Sequence, residues 1–304
     1  MSAAASGVAQ TLRYQCFARW KVVGICDRGV GSLEHQGNAK RSPTITVRDQ
    51  MFDREQWLKR WYMGGDPVAT SFLNALSAAF PVGEKLFIDS VRYFHDLAPR
   101  QLQAQIVAFV RQEAAHTREH AAFNAQLETG GYDPADLNAH ASREDKRIRG
   151  RSAIAQLGFT MALEHCTALL AHQFLADPRH LEAAPAEIQA MWRWHAVEEI
   201  EHKGVAFDTF KVVSQDWGPM RRWTFRAAVM LDACWRLLKV VALNMNCLYA
   251  QDGLAGFGIW TRTLRYLMGP RGVLLAMISG WLKWFAPNFH PWDEDDLQLC
   301  EAFA

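Results

Sequence analysis

The 304-residue sequence has almost no excess of charge of either sign. Thirty-three lysines and arginines stand against 32 aspartates and glutamates, a formal +1. A surface with no bulk field does not attract polyanions, so nucleic acid is not expected as a partner. The six cysteines, at 16, 26, 166, 234, 247 and 300, include no Cys-x-x-Cys pair, and nothing upstream resembles a cleavable secretion signal. Reduced thiols and a cytoplasmic chain are expected. Long apolar runs are scarce as well. Gly272 to Leu282 falls far short of the ~20 residues that cross a bilayer, and the stretch 227–249 is broken by Asp232, Arg236 and Lys239. No membrane span is predicted. No long segment alternates with period two, which excludes a sheet of consequence, and no low-complexity tract is found.

What remains is a chain that is 50% hydrophobic, 12% aromatic and 21% charged, a balance that can bury a large core. Residues 1–42, rich in Gly, Ser and Ala without a sustained period, read as a flexible N-terminal extension. From Asp66-Pro67 the text turns helical, over roughly 67–96, 99–129, 143–176 and 185–213, with Gly130-Gly131, Asp133-Pro134, Asp177-Pro178 and Pro185 between. Two or three further apolar helices are predicted over about 219–282. The division is therefore an extension (1–42), a bundle (43–218) and a C-terminal helical segment (219–304) packed on it.

The second helix carries Leu102, Ile106, Phe109, Glu113, His116, His120, Phe123 and Leu127 on one face, in steps of 3 and 4. The ends of that stripe are apolar, yet its middle is a carboxylate and two imidazoles, whose burial costs several kcal/mol unless they are compensated. The fourth helix repeats the pattern with Ile188, Trp192, His195, Glu199, His202 and Ala206. The first places Glu84 among Phe80, Phe87 and Val91, and the third places Glu164 among Leu157, Ala168 and Ala171. In chain order this is one Glu, one Glu-x-x-His, one Glu, one Glu-x-x-His, the ligand set of ferritin-like di-metal bundles, in which residues i and i+3 share a helix face. Four carboxylates and two neutral imidazoles carry −4, which two divalent cations neutralise. The predicted ligands are Glu84, Glu113, His116, Glu164, Glu199 and His202. The oxygen-rich set suits two Fe ions, or Mn, better than Zn.

His120 and His195 extend the stripes by one turn, as additional ligands, a proton relay or core histidines. Glu198 is placed to accept the second N–H of a ligand histidine and fix its tautomer. Glu119, Glu201 and His165 sit off the stripes and are expected at the surface or just outside the ligands, and Trp192 and Trp194 are expected to be packing residues.

Phe80-Pro-Val-Gly-Glu84, Gln112-Glu-Ala-Ala-His116 running to His120, Ala162-Leu-Glu164-His165, His195-Ala-Val-Glu-Glu-Ile-Glu-His202-Lys203 and the closing Phe289-His-Pro-Trp292 together resemble a bacterial family of predicted metal-dependent hydrolases over about 43–295. The resemblance implies hydrolysis by a metal-activated water. The ligand pattern is also similar to that of oxygen-activating di-iron enzymes, and ligand chemistry favours O₂-dependent oxidation of an apolar small molecule, with hydrolysis the alternative and metal storage or a structural site the third reading. The aromatic segment 219–285 is read as a cap forming an apolar tunnel, a homodimer interface or a peripheral membrane contact.

Overall fold

A computed structural model describes residues 44–53, 60–294 and 296–303. The predicted extension 1–42 lies outside the described residues. Among those described there are ten α-helices and no strand, so the chain is all-α as the sequence predicts. Asp66 starts α1 (Pro67–Arg92) by accepting the Val68 N–H at 2.8 Å, with Pro67 in the first turn where its missing N–H costs nothing. α2 is Arg100–Thr129.

The predicted third helix, 143–176, is two helices, α3 (Ala135–Arg149) and α4 (Ala153–Ala176). They are separated at Gly150, Arg151 and Ser152, where the Gln156 amide donates to the free carbonyls of Arg149 and Arg151. The predicted fourth helix, 185–213, is also two, α5 (Ala186–His202) and α6 (Val205–Val213). That break packs against a distant part of the chain. A Cβ on Gly204 would lie 2.5 Å from Nε1 of Trp292, and the buried Lys203 ammonium sits over the Trp292 ring and pairs with Asp296 at 2.7 Å. Three helices follow, α7 (Pro219–Gln251), α8 (Phe257–Met268) and α9 (Val273–Lys283), then a short α10 (Leu297–Glu301).

The helices α1, α2, α5 and α4 pack in a ring, each against the next, and make the four-helix bundle. α7 lies along α1, α3 and α4, while α9 packs on α4 and α8. The approach of α9 to α4 is close enough that a Cβ on Gly280 would meet Leu169 at 2.4 Å. The aromatic residues of this C-terminal part divide: Trp284 is fully buried, packed edge-on against Phe207, whereas Trp235 and Phe257 are exposed. α4 alone among the described helices is long and apolar enough to cross a membrane, but 72% of its apolar window is buried in the protein, as in a core helix.

Two apolar cores fill the bundle. One joins Leu73 and Leu76 of α1 to Phe123 of α2, Leu175 of α4 and Trp192 of α5. The other joins Phe87 and Val91 to Ile106, Phe109, Leu157 and Phe210. Glu84 and Glu113 come between them along α1 and α2, while Glu164 and Glu199 lie at the facing ends of the two cores on α4 and α5. The polar layer is therefore held at mid-bundle by hydrophobic packing on both sides.

Candidate metal centre

The two Glu-x-x-His pairs face each other across the bundle. His202 Nε2 lies 3.4 Å from Glu113 Oε1, and His116 Nδ1 lies 3.6 Å from Glu199 Oε1, so each histidine reaches the glutamate of the opposite helix. Within each helix the i, i+3 spacing brings the same groups to 3.9 and 3.8 Å. One atom from each of Glu113, His116, Glu199 and His202 lies within 4.8 Å of the others, and Glu84, His116 and His195 meet the same condition. All six predicted ligands are buried.

Each histidine is also held on its outer nitrogen. His116 Nε2 is 3.0 Å from Glu198 Oε2, the role expected of Glu198, and His202 Nδ1 is 2.9 Å from Glu164 Oε2. A carboxylate there fixes the ring and its tautomer. Glu164, expected as a ligand, thus stands to His202 as Glu198 stands to His116, while its other oxygen has no hydrogen-bond partner. Glu84 is oriented by the Thr117 hydroxyl, which donates to Oε2 at 2.8 Å. His120 and His195 form a chain: Ser77 Oγ to His120 Nδ1 at 2.9 Å, His120 Nε2 to His195 Nδ1 at 2.6 Å, His195 Nε2 to Glu199 Oε1 at 2.8 Å. The chain has the connectivity of a relay, His195 also lies within ligand distance of Glu84 and His116, and the edge-on Phe80 ring packs on His120.

An outer layer of polar contacts is not visible in the helical stripes. The backbone N–H of Arg48 donates to Glu198 Oε1 at 3.1 Å, its guanidinium holds Glu201 at 2.9 and 3.0 Å, and the Gln112 amide donates to Glu201 and to the Thr46 carbonyl, both at 3.0 Å. Glu201 is buried, not at the surface. So is Glu119, which accepts from the neighbouring Arg118 at 2.8 Å. His165 is a core residue, its Nε2 3.3 Å from the Gly280 carbonyl oxygen and its ring against Trp284. The partners of Glu198, Glu201 and His165 come from distant parts of the chain, beyond the reach of helical periodicity. Trp192 and Trp194 pack as expected, Trp192 against His120 and Trp194 edge-on to His116.

The charges in the layer frustrate one another. Burial, then the neighbouring Glu113, pushes the Glu84 carboxyl well above its ordinary range, and burial and Glu199 do the same to Glu164. Burial raises Glu113 to about 7, with Glu164 and Glu199 adding to the shift and His116 opposing it. For His116, burial opposes the charged form, but Glu113 and Glu198 outweigh it and raise the imidazole. Burial pushes Glu199 up, but His202 and His195 prevail and hold it low. His120 and His195 are lowered, first by burial and then by the adjacent imidazoles, His195 to about 4.

The unpaired polar atoms test whether a metal fits. Glu84 Oε1, both oxygens of Glu113, His116 Nδ1, Glu164 Oε1, Glu199 Oε2 and His202 Nε2 are buried without a hydrogen-bond partner. Unpaired buried carboxylate oxygens are costly; each of the six residues the sequence singles out carries at least one such atom, while others, such as Ser71 Oγ and Arg226 Nε, lie singly elsewhere. Oxygen and imidazole donors without thiolate form a set that can bind divalent cations.

A family model described as predicted metal-dependent hydrolase matches residues 46–295. The chain belongs to this family. No curated protein and no solved structure matches significantly. The predicted metal-dependent hydrolase span contains the whole Glu/His layer, the Thr46–Arg48 strap and the Phe289-His-Pro-Trp292 segment. In that last motif Trp292 sits against Gly204, two residues beyond His202.

Proposed function

We propose that the protein is a hydrolase working through two divalent metal ions, held by Glu84, Glu113, His116, Glu164, Glu199 and His202. The observation that carries this reading is the concentration of seven unpartnered buried donor atoms on those six residues, in a chain of the predicted metal-dependent hydrolase family. Ions in such a site acidify a water and polarise the bond to be cut. The protein's own residues do the rest. Glu198, anchored by the Arg48 N–H, keeps the inner nitrogen of His116 turned to the centre. The Ser77–His120–His195 chain ends on Glu199 and is suited to carry a proton to or from it. The oxygen-rich donor set favours iron or manganese over zinc.

The sequence alone favours oxidation, on ligand pattern. The family description supports hydrolysis instead, and no finding supports oxygen chemistry. The deciding experiment uses anaerobically purified protein loaded with Fe(II) or Mn(II), with metal per chain measured on the same sample. Hydrolysis of an ester, amide and phosphodiester panel without O₂, abolished by chelator and restored by metal, is the expected result. Stoichiometric O₂ consumption by the Fe(II) protein with no hydrolysis of the panel would overturn the reading in favour of an oxidase.

A further inference from the structure

A second feature of the fold leads to the metal centre from the side. Between α1, α4, α7, α8 and α9 lies a cavity of about 240 Å³, larger than the ~150 Å³ engineered apolar cavity that admits benzene. Its walls include Leu76 and Leu170 of the bundle and Met245, Trp260, Leu267 and Met277 of the C-terminal helices. Apart from the Cys166 thiol, the Trp260 indole and the Thr167 hydroxyl, every lining side chain is hydrocarbon or thioether. The Thr167 hydroxyl is already donated to the Glu164 carbonyl, at 3.1 Å. The wall reaches the surface at Leu238, which is half exposed.

A smaller cavity of about 80 Å³ continues it. Phe80, Thr167 and Leu237 line both, and the smaller one is walled further on by Phe87 and Glu84 toward the centre and by Glu144, Asp145 and Arg236 on its far side. Phe80 lies one turn before Glu84 on α1 and packs on His120 and His195. Side by side, the two cavities reach from Leu238 to Glu84, a carboxylate of the metal centre whose Oε1 has no partner, and the larger of them is apolar almost throughout. In the larger cavity a compact polar substrate would find almost nothing to bond. The dimensions and lining suit a flexible hydrocarbon chain, with methionines adapting to its bends.

We propose that this path binds the aliphatic chain of the substrate, and that the protein acts on a hydrolysable head, such as an acyl ester, presented at Glu84 by a chain lying in the cavity. The identity of the reaction rests on the hydrolase reading; the chain site does not. In the reaction water adds to the acyl carbon, the bond from that carbon to the leaving oxygen breaks, and the leaving oxygen takes a proton, giving an acid and an alcohol.

Neutral 1-alkanols test the chain site directly, because they carry no charge toward the carboxylate layer. In calorimetric titrations of the full-length, metal-loaded protein, affinity should rise from butanol to octanol by roughly fourfold per methylene, the equivalent of about 0.8 kcal/mol. Ala242→Trp, which fills the cavity, should weaken octanol at least tenfold. Leu238→Asp, on the exposed wall, should weaken it as well and serves if the first variant does not fold. Affinity independent of chain length, or unchanged by either folded variant, overturns the proposal. The companion measurement is hydrolysis of p-nitrophenyl esters from acetate to decanoate. Chain-dependent alkanol binding without hydrolysis of any ester would retain the chain site and overturn the hydrolase reading. Hydrolysis indifferent to chain length, with no graded alkanol binding, would do the reverse.

Discussion

Neither oxygen of Glu113 finds a hydrogen bond, and the side chain is wholly buried. Its carboxyl, pushed up to about 7 first by burial, holds a proton more tightly in the folded chain than in the unfolded one. Between about pH 4.5 and 7 Glu113 therefore keeps a proton in the metal-free folded chain that it loses in the unfolded one, and its contribution to stability should fall as pH rises through that window. Glu113→Gln removes the ionisation without a large change of volume. Urea titrations across pH should show the metal-free variant with a shallower loss and greater stability at pH 7.5 than metal-free wild type, while metal no longer stabilises it. An identical pH slope in both proteins would show that Glu113 is not the group responsible. One contact further out, Glu198→Ala should leave the six ligands in place but free the His116 ring, weakening metal by roughly 10–100-fold in competition with a chelator. These six positions were legible because steps of 3 and 4 put them on stripes that are otherwise apolar, where a charge stands out. Glu201 and Arg48 were not, since a surface glutamate and a glutamate buried under an arginine from a distant segment look the same in sequence.

Pro81 interrupts α1 without breaking it. It has no N–H to give the Ser77 carbonyl one turn back, and the Asn124 side chain supplies the bond instead, donating to Ser77 O at 2.9 Å and accepting from Ser77 Oγ at 2.7 Å. The same Ser77 hydroxyl contacts His120. A helix defect in α1 is thus repaired by α2 at the start of the histidine chain. Asn124→Ala should destabilise the protein by about 1–3 kcal/mol, the cost of a buried carbonyl losing its partner, and Pro81→Ala in the same background should recover part of it by restoring an N–H. Chemical denaturation of the single and double variants reads this directly, and additive losses would show that the two residues are uncoupled. At this scale the helices and most of their ends were readable from Pro, Gly and Asp signals. The breaks at 150–152 and 203–204 were not, the second because its stripe runs in phase from His202 to Ala206 and the Trp292 that packs against it lies far downstream.

Residues Arg41–Ala304 fold as one compact unit, so the layer of unpaired carboxylates weighs on the stability of the whole molecule. Any ion that binds only the folded chain stabilises it by RT ln(1 + [L]/Kd), about 2.7 kcal/mol at a hundredfold excess over Kd. For a domain of this size that corresponds to a melting temperature higher by roughly 5–10 °C. Scanning calorimetry with and without chelator should show this rise for Fe(II) or Mn(II), and coincident melts would mean that no metal binds the layer. The family match begins at residue 46 and, among the described residues, the first contacts to the layer come from Thr46 and Arg48 and every buried Glu and His of the layer lies within 84–202. A chain beginning at Arg41 should therefore keep the same metal content and the same chelator-dependent fall in melting temperature as the full-length protein. If the truncated chain lost its metal while still unfolding cooperatively, residues upstream of Arg41 would have to contribute to the centre, and the set of six ligands would need to be redrawn.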